Sequence, residues 1–283
     1  MRGTALEDGF LEVPGGRVFV RTWTPRAGSG ESPLVLLLHD SLGCVDLWRD
    51  FPEKLARRLA RRVIAYDRLG FGRSSARREL PSVNFIREEA EVYFPAIRRA
   101  LGITEYALFG HSVGGAMALV IAASSPEPCR AVVSESAQAY VEGRTLAGIR
   151  EGRDRFKHPE QLAKLARWHG DKAQWVLSAW TDVWLAPAFA SWSLEPDLPR
   201  VRCPVLAIHG DQDEYGPVEF PQFICSHTGG PSQLAILAGC GHVPHRERPD
   251  DVLDRVAPFL EQALAGTVPS ATRDPRRERR ATQ

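Results

Sequence analysis

Gly110-His111-Ser112-Val113-Gly114-Gly115 lies between a short apolar run, residues 106–109, and a run of small and apolar residues, 113–123. The first run has the length of a buried strand and the second the length of a buried helix. The residues between them must turn the chain sharply from strand to helix, and G-x-S-x-G is the pattern such a turn demands. Side chains two positions before and two after the serine would collide, which accounts for glycine at 110 and 114. The serine is then strained, and the helix behind it points its partial positive charge at the hydroxyl. By itself the pattern is a weak signal, because a glycine-rich turn can serve only to pack a helix on a sheet. Its flanking strand and helix make Ser112 a candidate nucleophile.

Working outward, residues 34–38 are wholly apolar, as in a strand buried on both faces, and break abruptly into His39-Asp40-Ser41-Leu42-Gly43. Residues 10–13 and 17–23 flank Pro14-Gly15-Gly16, a hairpin whose turn needs positive φ. A helix is predicted over about 51–60 and a strand over 62–66, closed by Asp67-Arg68-Leu69-Gly70-Phe71-Gly72. Residues 83–101 read as one long helix with Ile86, Ala90, Phe94, Ile97 and Leu101 on a stripe, bent by Pro95 and capped by Gly102. Downstream, residues 131–133, 205–208 and 233–237 read as further buried strands. A last helix spans about 250–264, with Val252, Val256, Phe259 and Leu260 inward.

Strands alternating with helices predict an α/β fold, a mostly parallel eight-stranded sheet with helices on both faces. Residues 138–196 break the alternation. They hold five of the seven tryptophans at helical spacing and no buried-strand signal, so they read as a helical cap inserted into a core of 1–137 and 197–266. Residues 267–283, with the charged stretch 273–280, are expected to form a disordered tail.

A serine hydroxyl attacks only when an imidazole takes its proton, and that imidazole needs a carboxylate to fix its tautomer. Among eight histidines, His242 in Gly239-Cys240-Gly241-His242 follows a strand and precedes the last helix. It is therefore expected at the carboxyl edge of the sheet, where the elbow lies. His245 is its nearest rival. The acid is expected between serine and histidine in the chain. Asp213, in Gly210-Asp211-Gln212-Asp213, fits that order, with Asp211, Glu214 and Glu135 as alternatives. Asp211 follows its strand too closely to turn back and is expected to hold the loop backbone. Two backbone N–H groups should receive the oxyanion: that of Val113 at the helix start, and that of Ser41 after the strand 34–38.

Composition excludes several function classes. A net charge of +1 gives no footing for a nucleic-acid or membrane partner. Five scattered cysteines lack metal spacing and suit a reducing compartment better than a disulfide framework. No metal or cofactor is expected. The first twenty residues carry no basic segment followed by an apolar one, and no apolar run approaches the ~20 residues of a membrane helix. The expected compartment is the cytoplasm, and a homodimer is left open.

The motifs at 39–43, 67–74, 110–115, 210–213 and 239–242 together resemble the α/β-hydrolase superfamily, in the right order and over about residues 10–265. One departure is Asp40, where the family's usual pair is His-Gly. Ala137-Gln138-Ala139-Tyr140-Val141, Gly148-Ile149-Arg150 and Trp180 are similar to the cap of the biphenyl hydrolase-like (valacyclovir hydrolase) group. That resemblance implies an esterase acting on a small acyl substrate. Members acting on amino-acid esters carry an acidic residue after the nucleophile. Val113 stands there, which implies a neutral or acidic acyl group instead.

The expected activity is hydrolysis of a carboxylic ester or lactone of a small, partly apolar molecule through an acyl-enzyme on Ser112. Tyr140, Trp180 and Trp184 are candidate pocket residues, although cap aromatics also serve to anchor helices. Arg150, Arg153 and Arg155 could meet a substrate carboxylate, although such a charge run reads first as a solvated face. Two alternatives stand beside this reading. Carbon–carbon hydrolysis of the meta-cleavage type uses the same three residues but needs a polar grip on a dienol. A non-catalytic ligand receptor on the same fold would also keep them.

Overall fold

The computed structural model describes residues 3–26 and 33–265, so the tail expected over 267–283 lies outside the described residues. Eight strands form one sheet: β1 (Thr4–Val13), β2 (Gly16–Pro25), β3 (Leu34–Leu38), β4 (Val63–Tyr66), β5 (Tyr106–His111), β6 (Cys129–Glu135), β7 (Val205–Gly210) and β8 (Ser232–Leu237). Their order is β1-β2-β4-β3-β5-β6-β7-β8, antiparallel at β1–β2 and β2–β4 and parallel from there on. Every residue of β3, β5 and β7 is buried, as both-face coverage requires. Alternation decides which core each side chain enters. Leu34, Leu36 and Leu38 join one cluster, and Val35 and Leu37 join the cluster on the opposite face.

The helices α1 (Phe51–Leu59), α2 (Phe85–Glu88), α3 (Phe94–Ala100) and α4 (Val113–Ser124) connect the first six strands. α5 (Gly143–Arg155), α6 (Pro159–His169) and α7 (Ala173–Trp184) all fall between β6 and β7, and α8 (Glu219–His227), α9 (Pro244–Glu247) and α10 (Pro249–Leu264) complete the chain. In α4 every residue from 113 to 123 is buried, which its apolar circumference dictates. Among the described residues, no helix is long and apolar enough to cross a membrane.

Two expectations need correction. The helix expected over 83–101 is split by a wider π turn, Glu89–Tyr93, immediately before Pro95. Pro95 has no N–H to return to the preceding turn, so the ladder loosens there. The stripe survives: Ile86, Ala90, Phe94 and Ile97 are all buried. The strand at 233–237 is not a buried one. β8 is the sheet's edge, and its Leu234 and Ile236 are 45% and 36% exposed. Composition cannot distinguish an apolar edge strand from a central one.

Candidate active site

Ser112 joins β5 to α4 with φ 54° and ψ −127°, a conformation that side-chain-bearing residues rarely adopt. The neighbouring glycines are required by distance. A Cβ on Gly110 would lie 2.1 Å from the Gly114 carbonyl oxygen, and one on Gly114 would lie 2.1 Å from that of Leu38. The turn is pinned to the sheet because the Ser112 N–H donates to the Glu135 carbonyl at 2.8 Å.

The loop after β8 brings His242 to the serine, with Nε2 3.0 Å from Ser112 Oγ. Its Nδ1 lies 2.9 and 2.8 Å from the two carboxylate oxygens of Asp213, which follows β7. Burial pushes the Asp213 carboxyl up, but the charge and hydrogen bond of His242 outweigh it, so the net direction is down. An ionised Asp213 makes Nδ1 the donor and leaves the Nε2 lone pair to the serine hydroxyl. Burial likewise disfavours imidazolium, and the Asp213 charge overcomes this to hold His242 above its ordinary value. The Tyr215 N–H, donating at 2.8 Å, fixes the carboxylate further.

Three ties hold the His242 loop itself. Glu247 accepts from the N–H groups of Gly241 and Val243, at 2.7 and 3.0 Å. His111 Nε2 donates to the His242 carbonyl at 2.8 Å. His245, the rival base, points away from Ser112 and meets Glu135, the rival acid, with Nδ1 2.6 Å from Oε2. His111, Glu135 and His245 are all buried and close together behind the elbow. Asp211 accepts from the Gly239 N–H at 2.7 Å and so holds the loop backbone, while Glu214 is exposed.

The segment after β3 forms the opposite wall. The Asp40 carbonyl accepts from His39 Nδ1 at 2.8 Å, Arg68 Nη2 at 2.9 Å and the Gly43 N–H at 3.3 Å. His39 Nε2 is left to accept from the Arg68 N–H at 3.0 Å. Asp67 supports the same wall by accepting from the N–H groups of Val45 and Arg73, at 2.6 and 2.7 Å. These bonds tie the 67–74 motif to the 39–43 motif.

Ser112 and His242 open into a cleft of about 430 Å³. Ser41, Trp180 and Trp184 line it, together with Asp40, Leu42, Gln138, Thr145, Ile149 and Tyr215. Tyr140 is not among them, which corrects its expected place. Its ring packs edge-on against Phe220 and Phe223, with centroids 5.0 and 5.3 Å away, on the flank of α8. Trp175 lies over Gly70 and Phe71 and donates to the Glu79 carbonyl at 3.2 Å, while Trp192 stacks on Phe189. Those rings anchor helices. Arg150, Arg153 and Arg155 are exposed, and Arg155 donates to the Tyr215 hydroxyl at 2.8 Å.

Sequence reasoning missed Gln138, whose Oε1 is 3.5 Å from Ser112 Oγ, and Tyr215, whose ring is 4.8 Å from His242. Gln138 stands three residues after β6, whose last residue pairs with His111 beside the elbow, and that position was the available signal.

Comparison with known proteins identifies the family. Residues 33–249 match the alpha/beta hydrolase fold family. The chain belongs to that family. It is 30% identical to Serine hydrolase BPHL of Mus musculus, over 92% of this chain and 88% of the mouse protein. It is 28% identical to 2-hydroxymuconate semialdehyde hydrolase of Pseudomonas putida, over 72% of this chain and 79% of that one. Among solved structures it shares the fold of Proline iminopeptidase from Mycobacterium smegmatis, with TM-score 0.69, 24% identity, and 92% and 99% of the two chains covered. This alpha/beta hydrolase is a hydrolytic enzyme, and its relatives carry several substrate classes.

Proposed function

We propose that this chain hydrolyses carboxylic esters or lactones of small, neutral, partly apolar molecules through an acyl-enzyme on Ser112. One observation carries the reading: Ser112 Oγ, His242 Nε2 and the Asp213 carboxylate form a continuous hydrogen-bonded line that ends in the cleft. His242 takes the serine proton as Oγ attacks the acyl carbon, then returns it to the leaving alcohol. Water repeats the sequence on the acyl-enzyme, with Asp213 steadying the imidazolium in both halves.

Two features support Ser41 and Val113 as oxyanion donors. Val113 opens α4, so its N–H has no carbonyl a turn behind it to bond. In a trans peptide the C=O and N–H point oppositely. With the Asp40 carbonyl fixed toward His39 and Arg68, the Ser41 N–H faces the other way, and Ser41 borders the cleft. Asp40 therefore fills the family's glycine position with its carbonyl anchored. Each such donor typically contributes about 3 kcal/mol to the barrier.

The cleft wall favours a neutral acyl group. Among the described residues no lysine or arginine lines it, and Asp40 adds negative charge. An acidic acyl group or a dienolate product would lack a counter-charge, which sets ester hydrolysis above carbon–carbon hydrolysis. Trp180, Trp184, Ile149 and Leu42 supply apolar surface. The test is competitive labelling by a fluorophosphonate probe against a panel of esters and lactones, with turnover counted. Repeated turnover of neutral short-chain esters, lost in Ser112→Ala, is expected. Turnover confined to vinylogous diketones, or tight binding with at most one turnover, would replace this reading with hydrolysis of a carbon–carbon bond or with a receptor.

A further inference from the structure

Far from the cleft, at the opposite edge of the sheet, two cysteines approach each other. Cys129 opens β6 and Cys203 stands two residues before β7, and their sulfurs are 3.8 Å apart across 74 positions of sequence. β6 and β7 are paired in parallel, with Val132 opposite Val205 and the Val132 N–H bonded to the Pro204 carbonyl at 3.0 Å. Continued past its first pair, this register sets Cys203 opposite Arg130, so the two cysteines are diagonal neighbours across adjacent chain segments. A disulfide bond is about 2.05 Å long, so the two sulfurs, already in contact, need to close by roughly 1.8 Å. Both thiols are free and buried, at 3% and 8% exposure.

We propose that Cys129 and Cys203 are a dithiol that converts reversibly to a disulfide, stapling the base of the helical segment between β6 and β7. The chain leaves the sheet through β6, forms α5, α6 and α7 with four cleft residues, Thr145, Ile149, Trp180 and Trp184, and returns through β7. The bond closes a loop that runs from the start of β6 through these helices to the chain's return before β7. With hydrogen peroxide as oxidant, the Cys203 sulfur takes one peroxide oxygen to become a sulfenic acid. The Cys129 sulfur then displaces that oxygen as water. In sum, two thiols and one peroxide give one disulfide and two waters. Cys203, the more exposed of the two at 8% against 3%, is the sulfur that peroxide reaches first. In a reducing compartment the pair rests as thiols, and the bond marks oxidative stress.

The experiment uses the full chain, reduced and then treated with hydrogen peroxide. Expected are a fall from five titratable thiols to three, and a peptide linked through Cys129 and Cys203. A melting temperature higher by about 5–10 °C, reversed by dithiothreitol, should accompany them, as closure of a loop this long implies. Cys225→Ser should still lose two thiols, from four to two, with the same linked peptide and melting shift, and Cys203→Ser should abolish all three effects. Cys129→Ala serves as the second disabling variant should Cys203→Ser fold poorly. Five thiols persisting in the folded, peroxide-treated chain would overturn the proposal. So would a linked peptide through Cys225, or a Cys129–Cys203 bond that leaves the melting temperature unchanged.

Discussion

Within four residues of one loop, two histidines each meet a buried carboxylate, and they end in opposite chemical states. His242 meets Asp213 from β7, and His245 meets Glu135 from β6, with contacts of 2.8 and 2.6 Å. His242 is held above its ordinary value by Asp213. Burial drives His245 down to about 3 and Glu135 up to about 7, so that pair is uncharged through much of the acid range. Trp48 covers the His245 ring at 4.6 Å, whereas His242 opens onto the cleft. The difference teaches that a histidine–carboxylate contact does not make a catalytic base. A base also needs a nucleophile at its second nitrogen and an ionised partner at its first. Only the His242 pair has both.

The sharpest way to break this contrast is to remove each histidine in turn. Ser112→Ala and His242→Ala should each lower kcat on an ester by about 10⁴-fold or more, with melting temperatures near that of the parent. His245→Ala should keep activity within about tenfold. If steady-state kinetics show His245→Ala as damaging as His242→Ala while both variants stay folded, the two pairs are not functionally distinct.

Asp213→Asn comes next. An amide can hold His242 in the wrong tautomer, and a loss approaching ~10⁴-fold in kcat is expected. The pH profile gives an independent reading. The base must be neutral, and Asp213 raises its pKa, so the acid limb of kcat/KM in the parent should lie above pH 6.5. Removing that charge should move the limb to lower pH. A limb that stays in place would show that the carboxylate does not set the protonation of His242.

Much of this arrangement was legible in the sequence because strand ends are fixed points. In a parallel sheet the loops after β5, β7 and β8 must emerge at one edge, so Ser112, Asp213 and His242 could be placed together from chain order. Asp211 as a loop-holding carboxylate followed from the same geometry. What escaped depends on packing between distant segments. Tyr140 and Trp184 are both aromatics of the inserted segment, yet one faces α8 and the other the cleft, and no local pattern separates them. The edge position of β8 depends on what does not pair with it. The approach of Cys129 to Cys203 follows from strand order, which spacing in sequence does not reveal.

The His245 pair should matter for stability. His245→Ala leaves the buried Glu135 carboxyl without its hydrogen-bond partner, which typically costs about 1–3 kcal/mol. Thermal or urea melts should show that loss, about 3–10 °C in melting temperature, beside near-normal kinetics. A variant as stable as the parent would mean that water replaces the imidazole at no cost.

The smallest effect, and the finest discrimination, belongs to Glu135→Gln. Burial raises the Glu135 carboxyl to about 7, whereas the unfolded chain titrates near 4.5. Between those values the folded state binds the extra proton, so this group's contribution is fully present below about pH 4.5 and is lost as pH rises through about 7. His245 acts in the opposite sense: its low folded value contributes stability above about pH 6.5 that is lost as pH falls toward 3. Near pH 6.5 to 7 the His245 contribution is already complete and the remaining slope belongs to Glu135; above about pH 7 neither group adds slope. Glutamine keeps the shape and a hydrogen-bonding group but cannot ionise. The variant should therefore match the parent closely near pH 4.5 and melt a few degrees higher at pH 8.5. A difference between variant and parent that is the same at both pH values would show that folding does not raise the Glu135 carboxyl. The contrast between the two histidine pairs would then rest on access to the serine alone.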